Sequence, residues 1–151
     1  VLEDVMFGPR NFGFSFDEAK DLALTALEKV KMLDFINKAP HHLSFGQKRK
    51  VAIASVLASK PDLIVLDEPS SNLDPASRRE LIEILKTLNI TIILVTHDLP
   101  MALEVCENSL ILNNGKIKII DSTYNIFTNE KIMKENRLEL PFGFALHHLE
   151  D

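Results

Sequence analysis

Two short apolar runs, each followed at once by polar side chains, constrain the fold of this chain most. Residues 63–66 (LIVL) and 90–95 (ITIILV) have the length and β-branching that predict buried strands of a parallel sheet. The first run is followed by residues 67–69 (DEP) and the second by residues 96–98 (THD). Because ligands bind at the carboxyl ends of parallel strands, these residues are the first candidates for a functional site.

Helical patterns lie before and between the two predicted strands. Residues 15–18 (SFDE) and 44–47 (SFGQ) have the spacing of capping boxes, and each predicts the start of a helix. Asp74 before Pro75 predicts a third helix start, with the aspartate as N-cap. Apolar strands that alternate with helices predict an α/β fold with a mostly parallel sheet.

Shorter elements are predicted towards both ends of the chain. Residues 1–7 should form two helical turns, which residues 8–9 (GP) end. Residues 99–105 predict a short helix, and residues 114–115 (NG), between two apolar runs, predict a β-hairpin. The residues from 122 onward should be helical at first and then irregular.

Composition excludes several classes of function. The 151 residues carry a net charge of −5 without a long basic tract, which argues against a nucleic-acid partner. No apolar run approaches the roughly 18 residues that a membrane span needs. The one cysteine, Cys106, excludes an internal disulfide, suits a reducing compartment and is interpreted as a core residue. The histidine pairs at 41–42 and 147–148 are interpreted as solvated loops, because no further spaced ligands support a metal site.

The residues at the strand ends suit phosphate chemistry. Mg²⁺ is the natural partner of an acidic strand end that faces a phosphate. Adjacent strand residues point to opposite faces, so Asp67 and Glu68 should differ in role, one holding the metal and the other orienting water. His97 could donate a hydrogen bond to a terminal phosphate. Taken singly, such an acidic pair is more often a solvated loop, and such a histidine is more often structural.

Four motifs in sequence resemble those of the ATP-binding-cassette (ABC) ATPases. They are the signature motif at 43–47 (LSFGQ), the Walker B strand with its glutamate at 63–69 (LIVLDEP), the D-loop at 71–74 (SNLD) and the switch-histidine segment at 95–98 (VTHD). Each motif alone is weak to moderate, whereas all four in the family's order and spacing are very specific. The resemblance covers essentially the whole chain. It implies a P-loop NTPase-like α/β cassette whose mostly parallel sheet is joined by a helical subdomain carrying the signature motif.

The resemblance implies catalytic roles that agree with the chemistry of the strand ends. Asp67 would bind Mg²⁺ through water. Glu68 would act as the general base on the attacking water, and His97 would contact the γ-phosphate and stabilise charge in the transition state.

The signature motif implies a contact with ATP on an opposing subunit. Ser44, Gly46 and Gln47 lie at a predicted helix N-terminus, which favours an anion, and in the family that anion is the partner's γ-phosphate. Phe45 stands where the family usually has glycine, and its side chain can point away from the phosphate. Asp74 would connect the two sites of the dimer, or it is only the N-cap that its position before a proline predicts.

The P-loop of the family, G-x-x-x-x-G-K-[ST], does not occur in this sequence. Residues 8–15 (GPRNFGFS) have the glycine spacing, but Phe14 occupies the lysine position and no apolar strand precedes them. The resemblance therefore implies the C-terminal portion of one ABC ATPase domain, incomplete at its N-terminus, with apolar sheet surface left exposed. The expected regions are a helical signature region (about 1–60), a sheet region from Walker B to the switch histidine (about 61–120) and a tail (about 121–151).

The function implied is an ATP-hydrolysing subunit of an ABC importer, inactive without a P-loop. Residues 4–9 (DVMFGP) are similar to a segment of energy-coupling-factor importers for cobalt, nickel or vitamins, and residues 121–127 (DSTYNIF) to the closing segment of many importer ATPases. The resemblance also implies ATP and Mg²⁺, a second ABC ATPase subunit, transmembrane partner subunits and a peripheral place on the cytoplasmic face of the membrane. Two alternatives stay open: a soluble ABC ATPase of translation or DNA repair, and a non-catalytic cassette that supplies its signature motif to a partner.

Overall fold

Residues 1–139 are described by the computed structural model, and the chain divides into a first unit, residues 1–95, and a second unit that begins at Thr96. The elements of the first unit are α1 (Leu2–Asn11), α2 (Phe16–Lys29), α3 (Phe45–Leu57), β1 (Leu63–Asp67), α4 (Pro75–Thr87) and β2 (Thr91–Val95), with 3-10 turns at Leu33–Phe35 and Pro40–His42. Those of the second are α5 (Leu99–Val105), β3 (Asn108–Asn113), β4 (Lys116–Ser122), α6 (Thr123–Thr128) and α7 (Glu130–Glu135). The α/β class is confirmed.

Both predicted capping boxes are present. The Ser15 hydroxyl accepts from the Glu18 backbone N–H at 3.3 Å, and the Glu18 carboxylate accepts from the Ser15 N–H at 2.9 Å. Ser44 and Gln47 form the same reciprocal pair, at 3.2 and 3.0 Å. Each box satisfies two N–H groups that a helix start leaves without an intrahelical partner, so α2 and α3 begin directly after their serines.

The first helix is longer than predicted. It runs from Leu2 to Asn11, through Gly8 and Pro9, so the prediction that these two residues end it was wrong. Gly8 is a packing residue instead, because a Cβ there would lie 2.6 Å from the hydroxyl oxygen of Ser59 on the segment after α3. Tertiary packing therefore outweighs the local tendency of the Gly-Pro pair to stop a helix.

The core of the first unit lies among its helices. Its fully buried residues include Val5, Ala19, Ala23, Leu27, Val30, Met32, Ala54 and Ile82. They come from α1, α2, α3, α4 and the turn after α2, so the segment that carries the predicted signature motif is anchored through its helix.

The two strands of the first unit pair in parallel, as predicted. The register runs from Leu63 opposite Thr91 to Asp67 opposite Val95. The expectation that both strands are buried was wrong for one face of the pair. The exposed side chains there are Leu63, Val65, Ile93 and Val95, with exposed fractions of 45%, 61%, 47% and 50%. The expected apolar sheet surface is thus present on the described chain.

The second unit contains the predicted hairpin and the predicted helix α5. Asn114 and Gly115 have φ of 51° and 68°, the left-handed pair that a tight hairpin turn requires. Ile111, Ile126, Phe127 and Met133 are buried together in the core of this unit. The prediction of helix after residue 122 is confirmed by α6 and α7, and its irregular end lies outside the described residues.

The hairpin turn makes a first prediction. Gly115 has open space around its Cα, so Gly115→Ala meets no clash but holds alanine in the left-handed region. We expect the free energy of unfolding to fall by about 1–2 kcal/mol, measured by urea denaturation. Lys116→Ala, at an exposed neighbouring position, is the control. Equal stability of the Gly115→Ala and Lys116→Ala proteins would contradict the turn assignment.

Three further sequence-based interpretations concern Cys106 and the two histidine pairs. Cys106 follows α5 and is only half-buried, so its interpretation as a core residue is correct only in part; burial raises the pKa of its thiol. The histidine pair at 41–42 is exposed, whereas the pair at 147–148 lies outside the described residues. Within residues 1–139, no three His, Cys, Asp or Glu side chains form a group that could hold a metal ion.

None of the helices in the described part of the chain combines the length and the apolar composition that crossing a membrane requires.

Candidate functional site

The predicted metal ligand, Asp67, and the predicted general base, Glu68, follow one another at the end of β1. Asp67 is the last residue of the strand and is exposed. Glu68 is half-buried, and its backbone N–H donates to the Val95 carbonyl at 2.8 Å, which extends the strand pairing by one bond. The two carboxylates therefore have different environments at the edge of the sheet where a ligand is expected.

Glu68 has a strained backbone, which the sequence does not reveal. Its φ is 43°, an uncommon value for a non-glycine residue and a restricted one for a residue before proline. The alternation of strand side chains therefore does not extend to Glu68, so the prediction that opposite strand faces separate the two carboxylates was wrong. The turn, not the strand, orients the glutamate, and the Ser71 hydroxyl donates to its Oε2 at 3.5 Å. Strain of this kind is concentrated at functional sites.

Asp74 is the N-cap of α4, as the sequence predicts. Its Oδ1 accepts from the backbone N–H groups of Ala76 and Ser77, both at 3.0 Å, and its Oδ2 accepts from the Ser77 hydroxyl at 2.6 Å. The Ser77 hydroxyl, followed by these N–H groups, holds the pKa of Asp74 below its ordinary value. The capping role is confirmed, and the D-loop role of the same residue stays a prediction.

The lowered pKa of Asp74 makes a prediction about acid stability. A carboxylate whose pKa is depressed in the folded state stabilises the fold above its unfolded pKa of about 3.9. We expect the Tm difference between the wild type and Asp74→Asn, which keeps a capping side chain, to be constant above about pH 5. It should shrink as the pH falls through the folded pKa, which thermal denaturation at several pH values measures. A difference that grows towards low pH would contradict this assignment.

The N-terminus of α3 differs in charge from the equally capped N-terminus of α2. The first turn of α2 carries Asp17 and Glu18, whereas the first turn of α3 has no acidic residue. Residues 48–50 (KRK) follow in α3. The two helices therefore differ at their N-termini although their capping geometry is the same. The N-terminus of α2 carries its own carboxylates, whereas that of α3 favours an external anion.

Phe45, the departure from the family's glycine, lies on the surface of α3. Its ring is 51% exposed, and the guanidinium carbon of Arg49 lies 5.6 Å from the ring centroid. Phe45 and Arg49 are one helical turn apart, so they form a cation–π pair along the helix. The aromatic ring thus has a partner on its own helix.

Helix α3, which carries the predicted signature motif, contacts α4, which follows the predicted D-loop. The sequence-based predictions did not include this contact. Gly46 is buried against Ser77 of α4, and the Lys50 ammonium lies 2.9 Å from the Glu80 carboxylate. Residues 46 and 50 are four apart and lie on one face of α3. Residues 77 and 80 are three apart and lie on one face of α4. This spacing does not identify the neighbouring helix, so the sequence alone did not reveal the contact.

His97 lies in the second unit, in the turn that leads into α5. The Asp98 side chain caps this helix by accepting from the Met101 N–H at 3.0 Å, and the Thr96 hydroxyl oxygen accepts from the Asp98 N–H at 2.9 Å. Both neighbours of His97 are thus fixed by local hydrogen bonds, while its side chain is exposed. The other six predicted site residues lie in the first unit.

A protein-family model described as "AAA domain, putative AbiEii toxin, Type IV TA system" matches residues 19–104, more than half of the chain. The match contains all four motifs that resemble those of ABC ATPases. None of the relatives described below has a toxin's name.

Curated relatives and a solved structure have ABC names. The chain is 54% identical over 144 residues to a "Putative ABC transporter ATP-binding protein" of Streptomyces avermitilis, covering 95% of this chain and 55% of that protein. It is 44% identical over 145 residues to the "Energy-coupling factor transporter ATP-binding protein EcfA" of Methanosphaera stadtmanae, covering 94% and 52%. The structure of cbiO1 from Clostridium perfringens, described as part of the ABC transporter complex cbiONQ, matches with a TM-score of 0.77 at 34% identity, covering 93% and 57%.

The chain spans about half the length of the curated relatives it matches. Within that span, the sequence motifs, the fold and the names of the relatives agree. The chain therefore belongs to the AAA-domain family whose model it matches, and it is similar to the ATP-binding proteins of ABC transporters over about half of their length.

Proposed function

We propose that this chain forms the portion of an ABC ATPase domain from the signature motif to the switch histidine, and that it hydrolyses ATP together with a P-loop supplied by another polypeptide segment. The observation that carries the proposal is the contrast between the two capped helices. Unlike α2, α3 has no acidic residue in its first turn, and Ser44, Gly46 and Gln47 lie at its N-terminus. An anionic γ-phosphate is the ligand that such a helix start favours.

The carboxylates at the end of β1 fit the cofactors that the proposal requires. Mg²⁺ is usually held by one or two carboxylates together with phosphate oxygens and waters, so the exposed Asp67 suffices on the protein side. The bound ion would neutralise charge on the phosphates. Glu68, half-buried and oriented by its turn, would take the proton of the attacking water, and His97 would donate a hydrogen bond to the γ-phosphate.

We further propose that the complete protein serves an importer of the energy-coupling-factor type. Support comes from the similarity to EcfA, whose name refers to an energy-coupling factor transporter, and to cbiO1, which is described as part of an ABC transporter complex. The proposal includes a second ABC ATPase subunit, with Asp74 connecting the two sites across the dimer. It also includes transmembrane partners, a peripheral place on the cytoplasmic face of the membrane, and a cation such as cobalt or nickel, or a vitamin, as cargo.

Complementation tests the proposal. The P-loop partner is a polypeptide that supplies the P-loop region of an ABC cassette but no signature, Walker B or switch-histidine segment. We expect neither chain alone to hydrolyse ATP and the mixture to do so, measured as phosphate release. A mixture that associates but releases no phosphate would contradict the proposal, as would micromolar ATP affinity of this chain alone by calorimetry.

A non-catalytic cassette is the second candidate, favoured by the lack of a P-loop motif in this sequence. Such a chain would donate only its signature motif to a complete cassette. Mixing with a complete cassette identifies this case, because Ser44→Arg would then abolish the gain in hydrolysis while Glu68→Gln would leave it unchanged.

A further inference from the structure

The first turns of α3 and α4 meet at a glycine and a serine. Gly46 is buried, and a Cβ built on it would lie 2.8 Å from the Ser77 hydroxyl oxygen and 3.0 Å from the Ser77 Cβ. Real Cβ atoms essentially never come closer than 3.0 Å to another heavy atom. A side chain at position 46 would therefore push the two helix starts apart.

The serine that fills the space over Gly46 is itself fixed by Asp74. Its hydroxyl donates to Asp74 Oδ2 at 2.6 Å, and its backbone N–H donates to Oδ1 at 3.0 Å. The hydroxyl bond is short, as expected for a bond to a charged acceptor. Ser77 therefore contacts the signature turn on one side and the D-loop carboxylate on the other.

A second contact lies one turn further along both helices. Lys50 Nζ and Glu80 Oε2 are 2.9 Å apart, with the lysine side chain only 14% exposed and the glutamate 51%. Lys50 lies four residues after Gly46 and Glu80 three residues after Ser77, so both contacts lie on the same pair of helix faces. Two contacts in line restrain rotation of one helix against the other, which a single contact does not.

We propose that Ser77 is a positioning residue that joins the start of α3, which favours an anion, to the loop that carries Asp74. As a result, Ser44, where the phosphate would bind, and Asp74 move together. The inference rests on the proposed function in one respect, that Ser44 faces a phosphate. A phosphate that draws in the first turn of α3 would then displace Asp74 through Ser77. The coupling is reciprocal, because a shift of Asp74 acts on Ser44 through the same contacts.

Hydrogen exchange on the full chain tests the contact without any ligand. In Ser77→Ala, the loss of the hydrogen bond from Ser77 to Asp74, about 1 kcal/mol, should loosen the first turn of α3, and we expect the N–H groups of Gln47 and Lys48 to exchange roughly fivefold faster. Ser55→Ala removes the same hydroxyl nine residues after Gly46, on the opposite side of α3, and is the control. Glu80→Ala, which removes the second contact, should also speed exchange at Lys48. Unchanged exchange at Gln47 and Lys48 in Ser77→Ala would overturn the inference.

Hydrolysis by the mixture with the P-loop partner tests the role in catalysis. We expect Ser77→Ala to lower kcat roughly tenfold at an unchanged KM for ATP, and to have no further effect in the Ser44→Ala background. A purely structural role predicts additive losses that follow the Tm. Additive losses would overturn the inference. If the wild-type mixture does not hydrolyse ATP, the proposed function fails, and the exchange experiment still decides whether Ser77 joins the two helices.

Discussion

Replacing Glu68 with glutamine should lower ATP hydrolysis by the mixture with the P-loop partner by at least about 10²-fold, the lower end of what general base catalysis contributes. Glutamine has the size of glutamate but accepts no proton at neutral pH. The strained turn at φ 43° and the bond between the Glu68 N–H and Val95 do not depend on the side chain, so the backbone should keep its course. Phosphate release measures the effect, and association with the P-loop partner should persist.

Glu28→Gln is the matched control for this experiment, because Glu28 is an exposed glutamate of α2 outside the candidate site. Its rate should stay within about twofold of the wild type, since exposed substitutions away from special features have small effects. A Glu68→Gln mixture with the wild-type rate would exclude Glu68 as the general base.

Replacing Ser44 with arginine should lower the same hydrolysis by at least about 10²-fold, as the loss of a preorganised group that stabilises transition-state charge does. The change removes the capping oxygen and places a guanidinium where the phosphate is expected. ATP hydrolysis and the apparent affinity for ATP are measured together.

The other capping box, at Ser15, supplies the control for Ser44. Ser15→Arg removes the same kind of cap from α2, and each loss should cost about 1 kcal/mol of stability. The two variants should therefore unfold at similar urea concentrations while only Ser44→Arg loses hydrolysis. Equal loss of activity in both would show that the effect is one of stability, and would contradict a phosphate at Ser44.

Local chemistry explains which parts of the fold the sequence predicts. The helix starts at residues 16, 45 and 75 were predictable because each depends on a side chain that caps N–H groups within a few residues. The hairpin at Asn114 and Gly115 was predictable for the same reason, since its turn needs φ values that these residues readily adopt.

Features that depend on distant contacts were not predictable. The local signal at Gly8-Pro9 ends a helix, but packing of Gly8 beside Ser59 carries α1 onwards to Asn11. The apolar run at 63–66 predicts a strand, but its burial depends on what lies over each face, and Val65 remains 61% exposed. The apolar pattern indicates that the segment prefers a strand, but it does not indicate which other segments cover that strand.

The candidate site was likewise predictable only where it depends on local sequence. The identities of Asp67, Glu68 and His97 follow from their places after apolar strands. The left-handed backbone of Glu68 does not follow, because the turn after β1 determines it. The contact of Gly46 with Ser77 joins residues 31 positions apart in the chain, and only the fold brings them together.

The central claim, that the start of α3 faces the γ-phosphate of ATP, can be tested directly with a single reactive thiol. Cys106→Ser removes the only cysteine of the chain, and Ser44→Cys or Ser15→Cys then supplies one at either helix cap. An ATP analogue with a thiol-reactive group on its γ-phosphate is added with the P-loop partner, and labelling is measured by mass spectrometry. We predict labelling at position 44 that requires the partner, and little at position 15. Equal labelling of the two positions, or none at position 44 in a mixture that binds the analogue, would contradict the claim.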